Sequence, residues 1–569
     1  MRLGLQSMFY KFAWGYQEWQ EVIKETDNKH IDLVCCRRDT VSLQAVVSSN
    51  EEFLLTKSKD TLFWKAGPID IGRIEVEVDG AIDIEVKLVG VIPDDNGTLV
   101  SDMLLDQSYV YVDKRRPQQV WIECRIDENV QPGKYKGKVK LYTHTMFEDE
   151  LLQEECSFTV TVKDIVMPEP KDYKFYLDLW QHPSNIARKY EVELWGEEHF
   201  SILDNYLHSL AQLGQKAVTL IVSEIPWSGQ GSLGDKEPSD LFEYNMIRVT
   251  RKSDGSFHFD YSALDQYVEI AEKHSILAEI ELFGLLNIWQ IPETGYGAIV
   301  TDYPDAIRIR YLDVVTNTYR FIRKKSELED YIHALEAHFI RRGWSEKVRV
   351  LADEPADFSL FQTRVQQLQQ LAPSFKLKVA INHAEFIQKD IPGIHDAVPI
   401  ISCAANDYYR LQDIRSQLPG KLLYYVCCWP KHPNSFISSP SLECRLIPWL
   451  AEKLGLDGFL RWSYTAWPDR PREKISYRPT IWPAGDTCLV YPGIGGKPLL
   501  SLRYKWLQRG IRDYEIMQMA KQSGRTEWVN SMLNRVLKFQ EPSQICKFDT
   551  PEDVYSLRHE DYECLLQEW

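Results

Sequence analysis

The sequence lacks the features of nucleic-acid-binding, membrane-spanning and nucleotide-binding proteins. Its 66 lysines and arginines are outnumbered by 83 aspartates and glutamates, so the formal net charge is -17. Binding a phosphate backbone needs a clustered basic excess, so we do not expect a nucleic-acid partner. No apolar run reaches the 18 or so residues of a membrane span. No dinucleotide or P-loop fingerprint follows a predicted strand. The glycines of GIGGK at 493–497 lack the spacing of a phosphate-binding loop, so this segment is interpreted as a turn.

Cysteine and histidine lack the spacing of a disulfide framework or a metal site. The 11 cysteines are an odd number and are scattered, with adjacent pairs at Cys35-Cys36 and Cys427-Cys428. Without CxxC or HExxH patterns, we expect free thiols, a reducing compartment, no metal and no cofactor. The N-terminus has no basic stretch followed by a long apolar segment, which favours a cytoplasmic protein over a secreted one.

The length and the changing pattern along the chain predict three units. The chain has 569 residues, and residues 1–166 contain short alternating runs separated by turn residues, which predicts an N-terminal β-sandwich. Two prolines in Met167-Pro168-Glu169-Pro170 indicate a stiff linker. Strands then alternate with amphipathic helices over 171–484, and 485–569 changes from loop to helix, which predicts a short helical C-terminal segment that caps the central unit.

Eight apolar strands are predicted in the central unit, most of them followed by a helical pattern. They cover residues 174–180, 216–224, 276–284, 347–355, 376–383, 398–404, 422–430 and 457–467. Eight such repeats are typical of a (β/α)₈ TIM-like barrel, whose active site lies at the carboxyl ends of its strands. The predicted fold class is therefore a multidomain α and β protein with a sandwich, a barrel and a helical segment.

An adjacent pair of carboxylates, Asp353-Glu354, ends the fourth predicted strand and precedes Pro355. Because a proline disfavours the α region for the residue before it, we expect Glu354 to be extended at the strand terminus. A solvated acidic turn is the plain alternative. A pair of carboxylates at the mouth of a barrel is, however, the arrangement that glycoside hydrolysis uses.

Aromatic and amide side chains follow several of the predicted strands, where they could form the walls of a sugar site. The candidates are Trp180, His182, Asn287, Trp289, Asn382, His383, Trp429, Asn434, Trp462, Tyr464 and Trp467. Strand alternation would put Trp462 and Tyr464 on one side, with Tyr464 and Trp467 exposed at the mouth. Core packing is the alternative for Trp462, a structural hydrogen bond for His182, a turn for Asn434 and a cap for Asn382-His383.

Cleavage of a glycosidic bond needs a proton donor and a group that stabilises the developing positive charge. A sugar with a 2-acetamido group can supply its own nucleophile, the amide oxygen. The protein then needs one carboxylate to hold the amide N–H and a second to act as acid and then base, a division that suits adjacent acids with unequal pKa values.

Several longer segments of the sequence, taken together and in this order, resemble those of a known enzyme family. They are DLWQHPSNIAR (178–188), EEHFSILDNYLHSLAQLGQKAVT (197–219), DGSFHFDYSALDQYVEIAEKHSI (254–276), LADEP (351–355), CWPKHPNSFISSPSLE (428–443), DGFLRWSYTAW (457–467), GDTCLVYPG (485–493) and SLRYKWLQRGIRDYEIM (501–517). In these segments the chain resembles glycoside hydrolase family 123, the retaining β-N-acetylgalactosaminidases, with its associated C-terminal domain.

The resemblance implies roles for the acidic pair. Asp353 matches the residue that orients the acetamido group and stabilises the oxazolinium intermediate. Glu354 matches the acid that protonates the leaving group and then activates water. The loops at 466–471 and 500–505 depart from the family pattern and leave sugar specificity open. A β-N-acetylhexosaminidase with gluco preference and a non-catalytic carbohydrate-binding protein on the same scaffold remain alternatives.

Overall fold

The computed structural model describes residues 1–14, 19–60, 70–145, 147–226, 242–286, 297–303, 306–387, 393–473, 482–547 and 550–569. In the N-terminal region these residues form one short helix and twelve strands. They are β1 (Arg2–Ser7), β2 (Ala13–Trp14), α1 (Trp19–Lys24), β3 (His30–Arg37), β4 (Asp39–Ser48), β5 (Phe53–Thr56), β6 (Asp70–Val78), β7 (Asp83–Pro93), β8 (Leu99–Leu105), β9 (Tyr109–Val112), β10 (Pro117–Ile126), β11 (Gly133–His144) and β12 (Leu151–Val166).

The N-terminal strands form two curled six-stranded sheets, as the alternating pattern predicts. Their orders are β1-β4-β10-β7-β8-β2 and β3-β12-β11-β6-β5-β9. Along β12, Cys156, Phe158, Val160 and Val162 are buried while the residues between them are more exposed, so one face of the sheet is apolar. The arrangement is sandwich-like.

The strands that follow are β13 (Tyr176–Leu179), β14 (Ala217–Ile221), β15 (Ile225–Pro226), β16 (Phe242–Glu243), β17 (Arg248–Arg251), β18 (Phe257–Asp260), β19 (Glu279–Phe283), β20 (Arg310–Asp313), β21 (Thr318–Phe321), β22 (Val348–Asp353), β23 (Lys376–Ile381), β24 (Ile394–Pro399), β25 (Leu423–Tyr425), β26 (Gly458–Arg461), β27 (Val490–Pro492) and β28 (Pro498–Leu500). The later helices are α2 (Pro183–Tyr190), α3 (Glu197–Ala211), α4 (Ser262–Lys273), α5 (Lys325–Arg342), α6 (Phe358–Leu371), α7 (Ile401–Asn406), α8 (Tyr408–Arg415), α9 (Ser441–Leu454), α10 (Leu502–Gln522), α11 (Thr526–Val536) and α12 (His559–Gln567).

Eight of these strands pair in parallel in a closed order. The five strands β14-β19-β22-β23-β24 form one sheet and β13-β26-β25 form another. Parallel bridges Ala397↔Leu422 and Ile400↔Tyr425 connect β24 to β25, and Leu177↔Gln215 connects β13 to the start of β14. The carboxyl ends of all eight strands therefore meet at one end of the ring.

The local sequence explains most of these elements, although three of the predicted strands extend well past the observed ones. Of the predicted 422–430 only Leu423–Tyr425 is a strand, and of the predicted 457–467 only Gly458–Arg461. Val348 to Ala352 are all buried, as expected for a parallel strand covered on both faces. The sixth predicted strand, 398–404, is wrong in its second half, because β24 begins at Ile394 and α7 begins at Ile401. A buried apolar run does not distinguish a strand from a short helix by its periodicity.

The long helix α10 of the C-terminal segment contacts the N-terminal sheets as well as the central unit. Its Arg503 is buried in an ion pair with Asp102 of β8, at 3.0 Å. Arg509 pairs with Asp39 of β4 at 3.3 Å and with Asp513 of its own helix at 2.8 Å. The hydrophobic pattern of the sequence does not reveal these partners for buried arginines in a distant sheet.

Each of the eleven cysteines is a free thiol, in agreement with their spacing. Within the described part of the chain, no helix has the length and apolar character needed to cross a membrane.

Candidate active site

The acidic pair lies at the carboxyl end of β22, in the ring of parallel strands. Asp353 is the last residue of the strand and pairs with Ala380 of β23. The backbone N–H of Glu354 still donates to the carbonyl oxygen of Ala380, at 2.9 Å. The backbone of both acids is therefore held by the neighbouring strand.

Glu354 is not extended, which corrects the expectation based on Pro355. Its φ is +43°, in a left-handed region that non-glycine residues rarely adopt. In a continuing strand, successive side chains would point to opposite faces. The turn at Glu354 interrupts that alternation, and both carboxylates line one cavity. Strained backbone of this kind costs about 1–3 kcal/mol and is typical of functional sites.

The cavity has a volume of about 240 Å³ and opens among the carboxyl ends of the ring strands. Its acidic lining residues are Asp353, Glu354 and Asp486, and its aromatic lining residues are Trp180, Tyr425, Trp429, Trp462 and Trp482. A small pocket with a few carboxylates among aromatic rings is suited to a sugar, which has apolar C–H faces and a polar edge.

The environment of the pair favours retention of a proton. Burial raises the pKa of Asp353 well above its usual range, and the nearby charge of Glu354 raises it further. Burial also raises the pKa of Glu354, whereas a hydrogen bond from the Tyr425 hydroxyl to Oε1 acts in the opposite direction. Two acids with different environments are what acid–base catalysis by a carboxyl pair requires.

Four predicted sugar-binding residues line the cavity together with the acidic pair: Trp180, Asn382, Trp429 and Trp462. Trp429 is 47% exposed, so about half of the residue is accessible to solvent. Trp180 is almost fully buried and packs edge-on against Phe283 at 5.0 Å.

The two predicted histidines, His182 and His383, lie outside this lining. His182 is buried directly before α2 and contacts Trp462 edge-on, with ring centroids 6.1 Å apart. Burial lowers the pKa of His182 to about 3, so the ring is neutral near neutral pH. His383 is exposed just before the turn Ala384–Phe386. Neither histidine therefore forms part of the wall of this cavity.

Three other candidates are structural, and for Tyr464 and Trp467 this corrects their predicted exposure at the mouth. Tyr464 is buried and its hydroxyl bonds to that of Ser209 at 2.7 Å, while buried Trp467 donates from Nε1 to the carbonyl oxygen of Val490 at 2.7 Å. Because β26 ends at Arg461, strand alternation no longer governs the residues that follow. Asn434 is buried, and its Nδ2 donates to the carbonyl oxygens of the preceding loop, as the turn alternative predicts. Asn287 and Trp289 lie outside the described residues.

Sequence reasoning missed several residues of the cavity. Tyr425 lies at the end of β25, and Asp486 belongs to GDTCLVYPG, which carried only the family resemblance. The adjacent thiols of Cys427 and Cys428, with sulfur atoms 3.9 Å apart, also line the cavity and are called the vicinal thiols below. The position of Tyr425 at a strand end was a usable signal, whereas nothing local marked Asp486.

A second acidic cluster lies between the strands of the ring. Asp178, Glu279 and Glu281 bring carboxylate oxygens within 4.8 Å of one another, a spacing that could hold a metal ion. The ammonium group of Lys378 pairs with all three, at 2.9 Å from Glu279 and 3.0 Å from Glu281. The cluster therefore already has an internal cation. Sequence spacing could not reveal this arrangement, because Asp178 lies on β13, the two glutamates on β19 and Lys378 on β23.

Comparison with known proteins agrees with this geometry. The sequence matches the family model described as glycoside hydrolase 123, catalytic domain, over residues 180–520. A family 123 glycoside hydrolase from Clostridium perfringens, solved for the details of glycolipid glycan hydrolysis, has 18% identity and a TM-score of 0.73, with 100% of this chain and 96% of that chain covered. A cyclomaltodextrinase has 11% identity over 84% and 82% of the two chains, and its TM-score of 0.29 is too low to indicate a shared fold. No curated protein sequence matches significantly. The family match covers more than half of the chain and includes the acidic pair, so the protein belongs to glycoside hydrolase family 123.

Proposed function

We propose that this glycoside hydrolase removes terminal β-linked N-acetylgalactosamine with retention of configuration, using the 2-acetamido group of the substrate as the nucleophile. The observation that carries the proposal is the pair Asp353 and Glu354, which line one small cavity with raised pKa values. The family match supports the glycosidase class, and the choice of sugar rests on the resemblance in the sequence.

We also propose the frame that holds this site. The closed order of parallel strands and the helices between them support a (β/α)₈ barrel over residues 171–484, with its active site at the carboxyl ends of the strands. Residues 1–166 would form the N-terminal β-sandwich domain and residues 485–569 the C-terminal segment.

In the first step, Glu354 donates a proton to the glycosidic oxygen while the acetamido oxygen attacks the anomeric carbon. The bond to the aglycone breaks, and an oxazolinium ion forms. Asp353 accepts a hydrogen bond from the amide N–H and stabilises the positive charge. In the second step, Glu354 removes a proton from water, and the water oxygen attacks the anomeric carbon. The bond from this carbon to the amide oxygen breaks, which opens the oxazolinium ring and restores the acetamido group.

The substrate itself would set the protonation of the pair. In the free protein, the Tyr425 hydroxyl favours ionised Glu354, while burial favours protonated Asp353. An amide N–H that donates to Asp353 stabilises its ionised form, and repulsion between the two charges then favours a proton on Glu354. A sugar without the amide would not bring about this exchange.

The size of the cavity supports action on a terminal residue. A volume of about 240 Å³ lies below the ~300–1,000 Å³ of pockets that hold drug-sized ligands, and it suits a single sugar ring. The similar Clostridium perfringens enzyme was studied for hydrolysis of glycolipid glycans, so a glycolipid is one candidate aglycone for this chain.

The test compares aryl β-N-acetylgalactosaminide, its gluco epimer and aryl β-galactoside, which lacks the acetamido group. We expect hydrolysis of the first with a β-configured initial product by NMR, little hydrolysis of the third, and collapse of activity in Glu354→Gln. Faster cleavage of the gluco epimer would favour the hexosaminidase alternative. Equal cleavage of the plain galactoside would refute participation of the acetamido group, and sugar binding without any release would favour the non-catalytic alternative.

A further inference from the structure

Asp486 is a third acidic residue in the cavity wall, and the proposed reaction does not use it. It follows the eighth strand of the ring, and its backbone N–H donates to the carbonyl oxygen of Pro483 at 2.9 Å. The residue is fully buried, yet it lines the cavity together with Asp353 and Glu354.

The two carboxylate oxygens of Asp486 differ in their partners. Oδ1 accepts from the Arg461 guanidinium at 2.7 Å and from Trp462 Nε1 at 3.3 Å. Within the described ranges, Oδ2 has no hydrogen-bond donor. Buried carboxylate oxygens almost always have a hydrogen-bond partner. The ion pair with Arg461 satisfies Oδ1 and leaves Oδ2 available as an acceptor.

The surroundings of Asp486 indicate the kind of group that could bind there. Trp462 and Trp482 also line the cavity, with ring centroids 5.2 Å apart and planes at 38°. A sugar whose C–H face contacts an indole ring presents hydroxyl groups at its edge. Because Trp462 donates to Asp486, the orientation of the aromatic wall is coupled to that of the carboxylate.

We propose that Asp486 forms a hydroxyl-binding subsite, in which Oδ2 accepts a hydrogen bond from one ring or exocyclic hydroxyl of the sugar held by the catalytic pair. The inference rests on the proposed function and adds a residue that selects among sugars by their hydroxyl pattern. Arg461 and Trp462 hold the carboxylate in place for this contact.

The experiment is a double-mutant cycle between the protein and the substrate. kcat/KM is measured for wild type and Asp486→Asn with aryl β-N-acetylgalactosaminide and with its 3-, 4- and 6-deoxy analogues. We expect Asp486→Asn to lose roughly 10- to 150-fold on the parent substrate, as for a hydrogen bond to a charged group. On one deoxy analogue, wild type should already show a comparable loss, and the substitution should add less than about threefold.

Equal losses on all four substrates would mean a purely structural role and would overturn the inference. Asp457→Asn is the matched control, because Asp457 pairs with Arg415 at 2.9 Å and does not line the cavity. If Asp486→Asn does not fold, the wild-type protein still decides: retention of activity within about threefold on every deoxy analogue would overturn the inference. Wild-type activity on the parent substrate reports separately on the proposed function.

Discussion

Substitution of Tyr425 by phenylalanine should move the pH dependence of catalysis in a direction that the structure specifies. The Tyr425 hydroxyl donates to Oε1 of Glu354, and this hydrogen bond stabilises the ionised carboxylate against the effect of burial. Tyr425→Phe removes the donor and keeps the ring. The pKa of Glu354 should therefore rise further above its usual range.

The size of the shift follows from the strength of the lost bond. A hydrogen bond to a charged group contributes ~1.5–3 kcal/mol, and one pKa unit corresponds to ~1.36 kcal/mol, so the pKa should rise by about one to two units. Glu354 must be protonated to act as the acid, and it holds the proton when substrate is bound, so the alkaline limb of kcat reports its pKa in the enzyme–substrate complex. That limb should move to higher pH by the same amount.

The assay is a pH profile of kcat with an aryl substrate whose leaving group needs protonation. Tyr424→Phe is the matched control, because the Tyr424 hydroxyl donates to the carbonyl oxygen of Ile447 at 2.8 Å and lies outside the cavity lining. An alkaline limb that stays in place in Tyr425→Phe, or moves to lower pH, would refute the assignment of Glu354 as the acid held by Tyr425.

Four further outcomes are expected. Glu354→Gln should lose about 10²- to 10⁴-fold in kcat/KM on a substrate with a poor leaving group and much less on one that releases an acidic phenol. Asp353→Asn should lose activity on both substrates, and the same leaving-group dependence in the two variants would contradict the division of roles. The pKa of Glu354 is raised in the folded state, so ionisation of this carboxyl group destabilises the fold once the pH exceeds the pKa of a glutamate in the unfolded chain. Glu354→Gln should therefore raise the melting temperature at pH 8 and leave it unchanged at pH 4. Asp102→Ala should lower the free energy of unfolding by about 3–5 kcal/mol because it leaves Arg503 buried without its carboxylate, whereas Asp164→Ala at an exposed ion pair should cost less than about 1 kcal/mol in denaturant titrations. Alkylation of the vicinal thiols should lower kcat/KM about tenfold or more, and full modification with unchanged activity would show that they do not border the bound sugar.

Much of the site could be predicted because its central residues are adjacent in the sequence. Asp353 and Glu354 follow a run of apolar residues that can only be a buried element, and the parallel strand places them at its carboxyl end. Trp180 and Trp462 were found for the same reason, since each directly follows a strand of the ring.

Predictions failed where they extended a local pattern past the end of an element. Strand alternation put Tyr464 at the mouth, but the strand ends at Arg461 and the chain then turns into the core. The proline rule excluded one conformation of Glu354 without choosing between the extended and left-handed regions that remain.

The sequence by itself determined the order of the eight ring strands, the acidic pair and the family, because periodicity and adjacent residues express them directly. Only the tertiary structure decided that Tyr425 bonds to Glu354 and that Asp486 reaches the same cavity. These residues lie far apart along the chain and meet because closure of the ring brings the carboxyl ends of its strands together. Packing across the ring, rather than any local pattern, sets which side chains face the cavity.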